Sequence, residues 1–219
     1  MCIVIQNCEI IQGHCYIRFD KAEEYYLRAL EIRERLASAH PEAYEADVAQ
    51  TLNNLALLYS NTQRFDKAEA YYLRALEIYE RLAKAHPEAY EADVANTLNN
   101  LADLYYDTQR FDKAEAYYLR ALEIRERLAK AHPKAYEADV AETLNNLAIL
   151  YSNTQRINDA EAYFLRALEI YERLFSQWPD LYASDVHMVQ ENLRMLEGVK
   201  QGTHKTSLPF LKKMKKLFK

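Results

Sequence analysis

The sequence predicts an all-α fold, a solenoid of stacked antiparallel helical hairpins, and three observations carry that prediction. First, the chain repeats itself every 46 residues: the phrase Phe19-Asp20-Lys21-Ala22-Glu23 returns at Phe65 and at Phe111, and a decayed copy starts at Ile157. Second, apolar residues inside each repeat recur at spacings of three and four, the mark of a helical face. Third, the 219 residues include only three Gly and five Pro, too few for the turns of an all-β chain. Ala, Leu, Glu, Lys and Arg, the strong helix formers, are abundant.

The elements follow in order. Residues 1–18 occupy the place of a first helix but match the repeat poorly; they read as a degenerate helix or as a disordered N-terminus. Repeats start at 19, 65, 111 and 157 and fill residues 19–197. In the second, Ala68, Tyr72, Ala75, Leu76 and Tyr79 share a helical face, and the helix runs to about Ala85. Its opening, Asp66-Lys67-Ala68-Glu69, is a capping-box pattern with Asp in the place of Ser or Thr. Asp20/Glu23, Asp112/Glu115 and Asn158/Glu161 repeat it. Pro87, after His86, opens a second helix, because a proline's missing N–H costs nothing in the first turn. That helix runs through Ala89, Val94, Leu98, Leu101, Ala102 and Tyr105 before a short turn at Thr108-Gln109-Arg110. Neither helix can bury its apolar stripe alone, and stacked hairpins share one core. Ala75, Ala121 and Ala167 stand where two helices must approach closely. Residues 181–197 replace the motif with a more polar final helix, in which Asn192 and Leu193 keep the register of Asn54 and Leu55. Residues 198–219 form a tail.

Composition narrows the function. The net charge of -5 is unevenly placed: seven Lys and no acid follow Gly198, so residues 1–197 carry 21 basic and 33 acidic side chains, a net of -12. An acidic body is not a nucleic-acid-binding domain by composition. Cys2, Cys8 and Cys15 fit no zinc spacing, although His14 adjoins Cys15; they read as free thiols, which suit the cytoplasm. No apolar run approaches the length of a membrane helix, and the first residues lack the basic region of a signal peptide. No Gly-rich phosphate loop, HExxH or GxSxG element appears. His40, His86 and His132 each precede Pro, which one turn-forming role explains better than catalysis. Trp178, at the same connection, and the recurring Tyr read as packing. The chain is expected to be no enzyme and to need no cofactor or metal.

Residues 52–78, LNNLALLYSNTQRFDKAEAYYLRALEI, resemble the tetratricopeptide repeat motif. Leu52, Leu55, Ala56, Tyr59, Phe65, Ala68, Tyr72 and Ala75 fall where that motif places its packing residues. The motif's first glycine is Ala56, Ala102 or Ala148 here. Its inter-helix glycine is Gln63, Gln109 or Gln155, a departure that implies a slightly different turn. The LNNLA phrase and the HP connection look most like the kinesin-light-chain subclass, with a longer unit. The resemblance covers residues 19–197 and implies a right-handed superhelix whose concave groove is lined by the first helix of each hairpin.

On that implication the groove residues are Gln50, Asn53, Asn54, Leu57, Ser60 and Asn61, then Asn96, Asn99, Asn100, Asp103, Tyr106 and Asp107, then Glu142, Asn145, Asn146, Ile149, Ser152 and Asn153. Residues 19–64 and 65–110 differ at seven of 46 positions, and 65–110 and 111–156 at six. Four differences in each comparison fall on the inward surface, whereas outward Glu69, Arg74 and Glu77 persist. Diversification of a binding surface explains this better than drift. An Asn side chain offers two donors and an acceptor, so Asn54, Asn100 and Asn146 suit the backbone of an extended peptide. The competing reading is that one Asn of each pair bonds between neighbouring hairpins.

The expected function is a peptide-binding scaffold or adaptor with a mildly acidic groove for neutral or basic peptides. The alternative is a structural or regulatory module that binds through a convex face or an end. The expected partner is protein or peptide, not nucleic acid. A membrane surface enters only through the basic tail, SLPFLKKMKKLFK, for which three readings stand: docking in an acidic groove, membrane attachment, or a solubilising end.

Overall fold

The computed structural model describes residues 9–202, with side chains from Phe19 onward. The described residues form eight α-helices and no strand: α1 (Glu9–Ala39), α2 (Pro41–Asn61), α3 (Phe65–Ala85), α4 (Pro87–Asp107), α5 (Phe111–Ala131), α6 (Pro133–Asn153), α7 (Ile157–Gln177) and α8 (Pro179–Lys200). They fall into two compact units, Met1–Thr108 with α1 to α4 and Gln109–Lys219 with α5 to α8. Inside each unit every helix packs on its neighbour in sequence, and in the first unit α2 also touches α4.

The turn between α2 and α3 sets the hairpin. Arg64 N–H donates to Tyr59 O at 2.8 Å and Gln63 N–H to Ser60 O at 3.0 Å, the double bond pattern of a Schellman helix end. Such an end needs a left-handed residue, and Gln63 takes it with φ 59°. The second unit repeats the turn: Arg156 N–H donates to Tyr151 O at 2.8 Å and Gln155 has φ 61°. Gln109 has the same φ, 61°. The expectation of a different turn is thus corrected. These glutamines adopt the glycine conformation and bear its strain, because the two carbonyl bonds fix the backbone whatever the side chain. The other connection is as the sequence indicates. His40, His86 and His132 cap the following helices through their backbone, with no side-chain bond, and Pro opens each one.

The capping boxes are not formed. α3 begins at Phe65 with Arg64 as its N-cap, so Asp66 already lies inside the helix and cannot cap it. The glutamates reach elsewhere. Tyr59 Oη donates to Glu23 Oε1 at 2.9 Å, and Arg64 Nη2 donates to Glu23 Oε2 at 2.6 Å. Tyr105 Oη donates to Glu69 at 2.8 Å. In the second unit Tyr151 Oη and Arg156 Nη1 donate to Glu115 Oε1 at 3.0 and 2.7 Å. Each carboxylate therefore ties one hairpin to the next. The Arg64 guanidinium holds the Glu23 carboxyl below its ordinary pKa, with the Tyr59 hydrogen bond adding to the effect against some desolvation. The fourth repeat has Glu197 where the tyrosine would stand, and Lys200 pairs with Glu161 instead.

Small residues let the helices close. Ala49, Ala56, Ala68 and Ala75 in the first unit, and Ala114, Ala121, Ala148 and Ala167 in the second, have no exposed surface. Around them lie Leu52, Leu55, Tyr59 and Tyr72, and in the second unit Tyr118, Leu144, Leu147 and Phe164. Trp178 does not join this core: it is 39% exposed and meets the Tyr182 ring at 6.4 Å.

At the ends, residues 9–18 continue α1 without a turn, so they extend that helix. At the other end α8 includes Gly198 and Lys200. The side chains of Cys2, Cys8, His14 and Cys15, and the tail from residue 203, lie outside the described residues.

Two outcomes follow from this packing. Replacing Gln155→Gly relieves a left-handed side chain, a conformation that costs an ordinary residue roughly 1–2 kcal/mol. Glycine's extra unfolded freedom returns part of that, so chemical denaturation should show a gain of about 0.5–1 kcal/mol. Gln155→Val should be destabilising. Ala121→Leu forces a methylene-rich side chain into a contact with no free surface and should cost about 1–3 kcal/mol in the same measurement.

Candidate functional site

The suggested binding residues occupy one face of each helix, α2 and α4 in the first unit and α6 in the second, because Leu52, Leu55, Ala56 and Tyr59, and their equivalents, turn the opposite side of each into the core. On α2, Gln50, Asn54, Leu57 and Asn61 are exposed, and Asn53 and Ser60 are half-buried. On α4, Asn96 and Asp107 are exposed, Asn100 and Asp103 are half-buried, and Asn99 and Tyr106 are buried. On α6, Glu142 is exposed, Asn146 and Asn153 are half-buried, and Asn145, Ile149 and Ser152 are buried. The apolar positions therefore differ between units: Leu57 is 46% exposed and Ile149 only 4%.

The asparagines also divide. In the second unit Asn192 Nδ2 donates to Asn145 Oδ1 at 3.0 Å, with both side chains buried. There the pair serves the packing of neighbouring hairpins, and Asn192, which keeps the motif register, is the partner that supplies the bond. In the first unit no such bond forms. Asn53 Oδ1 and Asn99 Oδ1 are buried with no hydrogen-bond donor among the described residues, as Asn192 Oδ1 is in the second unit. A buried acceptor left unpaired costs about 1–3 kcal/mol, so these two amides are poised to gain from a donor brought to the face.

The charge of the face has a buried counterpart that sequence reasoning missed. Arg125, 4% exposed, donates from Nη1 to Glu142 at 3.2 Å, to Thr143 Oγ1 at 2.6 Å and to Asp139 O at 3.0 Å. Arg33 makes the equivalent bond to Asp47 O at 3.1 Å and also bonds Thr51 Oγ1. At the same place α3 carries Tyr79. In the third repeat the arginine beneath the face has the Glu142 carboxylate above it, whereas in the first repeat Arg33 lies in the repeat that carries Gln50.

The outward residues that persist have structural reasons. Arg74 pairs with Glu34 at 2.8 Å and Arg166 with Glu126 at 2.7 Å, and Glu69 holds Tyr105. Such exposed pairs contribute below about 1 kcal/mol each, yet they recur as ties between hairpins. At the α7–α8 junction Phe175, Trp178 and Leu181 are exposed, where the preceding repeat has Ala129, His132 and Ala135.

Asp93 sits beneath the face of α4, and burial pushes its carboxyl above the ordinary aspartate range. Burial, followed by the negative charges of Asp93 and Asp47, pushes the Tyr79 hydroxyl up as well. A raised carboxyl pKa means the folded state binds more protons than the unfolded one between the ordinary and the raised value. Stability is lost as pH rises through that window. Asp93→Asn should therefore be more stable than the parent at neutral pH, with the advantage shrinking as pH falls into the ordinary aspartate range. Urea melts across that pH series measure it.

Among the described residues no group of His, Cys, Asp and Glu could hold a metal ion, and no helix is long and apolar enough to cross a membrane. Comparison with known proteins gives a match to the family model described as tetratricopeptide repeat, over residues 47–127 and 93–173, together more than half of the chain. No curated protein matches the chain in sequence. Among solved structures it is similar to BtubC (BKLC) from P. vanneervenii, with 22% identity, 85% of this chain and 94% of that one covered and a TM-score of 0.39. It is also similar to aspartyl phosphate phosphatase F from Bacillus subtilis, with 18% identity, a TM-score of 0.52 and 87% of this chain covered. The match spans 52% of that protein, and at such identity it shows the fold alone.

Proposed function

The chain belongs to the tetratricopeptide repeat family, and from that premise we propose that it is a non-enzymatic scaffold that binds an extended neutral-to-basic peptide on its Asn-bearing helix faces. The observation that carries this reading is the pair of buried amide oxygens, Asn53 Oδ1 and Asn99 Oδ1, that no donor among the described residues satisfies. An extended peptide presents a backbone N–H at every residue except proline. A rotation of either amide toward the face lets it accept one, and Nδ2 can then donate to a peptide carbonyl. Asn54 and Asn100 lie beside them, exposed and half-buried. Backbone bonding of this kind gives affinity with little sequence preference.

The absence of Lys and Arg from α2, α4 and the site residues of α6 favours neutral or basic peptides over acidic ones. Arg125 is buried beneath Glu142 and neutralises it without reaching outward. The sequence carries no phosphate-loop motif, and the phosphatase likeness brings its fold and not its activity. We further place the chain in the kinesin-light-chain-like subclass on its LNNLA phrase, and in the cytoplasm on its three thiols. The alternative, a module that binds through an end, draws on the exposed Phe175, Trp178 and Leu181.

A twelve-residue peptide display library panned against the full chain tests the reading. Each lost amide contact should remove about 0.5–1.5 kcal/mol, so Asn53→Ala with Asn99→Ala should weaken selected peptides by about tenfold or more. Selected peptides indifferent to these substitutions, but sensitive to Trp178→Ala, would favour the end-binding alternative.

A further inference from the structure

The Asn pairs are the same in the first three repeats, so they cannot choose between peptides; the residues one turn further along each helix can. On α2, Asn53 is followed at i+4 by Leu57, and on α4, Asn99 is followed by Asp103 and then Asp107. Leu57 is 46% exposed, an unusual position for a leucine in a chain whose other α2 leucines are buried. Asp103 is half-buried and Asp107 is exposed, each with an interaction inside the protein that a ligand would share. The first unit thus sets an apolar contact and an acidic contact on adjacent helices, each one turn from a buried amide oxygen without a donor.

The contrast recurs along the chain. Residues 19–64 and 111–156 differ at only five positions, fewer than either repeat differs from the one between them. The first has Leu57, Ser60 and Asn61, the third Ile149, Ser152 and Asn153, and the second Asp103, Tyr106 and Asp107. Apolar and acidic repeats therefore alternate, with Arg33 and Arg125 under the apolar type and Tyr79 under the acidic type. In the second unit Ile149 is buried, which leaves the first unit as the place where the apolar contact is open to a ligand.

Resting on the peptide-binding reading above, we propose that the first unit selects extended peptides in which an apolar residue and a Lys or Arg stand about three positions apart, the apolar residue against Leu57 and the base against Asp103 and Asp107. The spacing follows from geometry. Packed helices lie about 8–10 Å apart, and α2 touches α4. An extended chain advances about 3.3–3.6 Å per residue, so crossing from one helix to the next takes about three residues. The apolar anchor gains from covering Leu57, and the base adds a charge contact that weakens with salt.

The exchange variant Leu57→Asp with Asp103→Leu tests this directly. The position equivalent to both residues already accepts Leu, Asp and Ile in this fold, so the exchange keeps the helices intact, which circular dichroism verifies. The same twelve-residue display library is panned on the parent and on the exchange variant. The proposal expects parent ligands with an apolar and a basic residue about three positions apart. It expects the order of the two residues to reverse on the variant, with a parent-selected peptide losing about tenfold in affinity there, the size of one half-buried leucine plus one charge contact. Ligands that depend on Asn53 and Asn99 but show no such pair, or the same order on both proteins, would overturn the specificity and leave peptide binding standing. Recovery of no ligand that depends on those asparagines would overturn both.

Discussion

Everything in this structure depends on helices that can bury their apolar sides only against a neighbour. Ala68 and Ala75 on α3 have no exposed surface, and neither have Ala49 and Ala56 on α2. Their methyl-sized side chains let two backbones approach until Leu52, Leu55 and Tyr72 fill the space between. A single hairpin offers half of this arrangement, so stability is approximately a sum over neighbouring contacts. The Glu–Tyr–Arg ties and exposed ion pairs follow the same logic. Each joins a hairpin to its neighbour, and each recurs because the contact recurs.

That constraint also explains why part of a face is left outside the core. The core takes one side of α2 and α4, and on the other side Gln50, Asn54, Leu57, Asn61, Asn96 and Asp107 stay exposed. Residues there can change without loss of fold, and position 57 has Leu, Asp and Ile among its equivalents. Freedom from packing is what allows the face to carry chemistry. Where packing claims part of it, as Asn145 and Asn192 do, the chemistry is used internally. Where it does not, as at Asn53 and Asn99, two amide oxygens remain buried without donors.

Much of the fold was legible in the sequence because it repeats. Helix boundaries at Ala85 and Pro87 came from apolar period and proline position, which are local signals. The capping boxes misled because Asp66 and Glu69 have the right spacing for a cap and also for an inter-hairpin tie. Only the left-handed turn at Gln63, set by carbonyls of the preceding helix, decides between the two. That turn was itself unreadable, since glutamine gives no local sign of a positive φ. The candidate face was located from the family resemblance and supported by comparing near-identical repeats. The sequence could not separate buried from open members, because Leu57 and Ile149 are chemically alike and differ only in what lies over them. Arg125 was missed for a related reason: it looks like a surface charge until its bonds to Asp139 O and Thr143 are seen.

The central claim is that the amides of the first unit receive a peptide backbone. Side-chain amide resonances of Asn53 and Asn99, followed by NMR as a display-selected peptide is added to the full chain, test it most directly. The account predicts that these two signals shift and that the peptide's own N–H groups exchange more slowly in the complex. Unmoved asparagine signals, with the perturbed resonances on the ion-paired surface of α3 around Arg74, would contradict it.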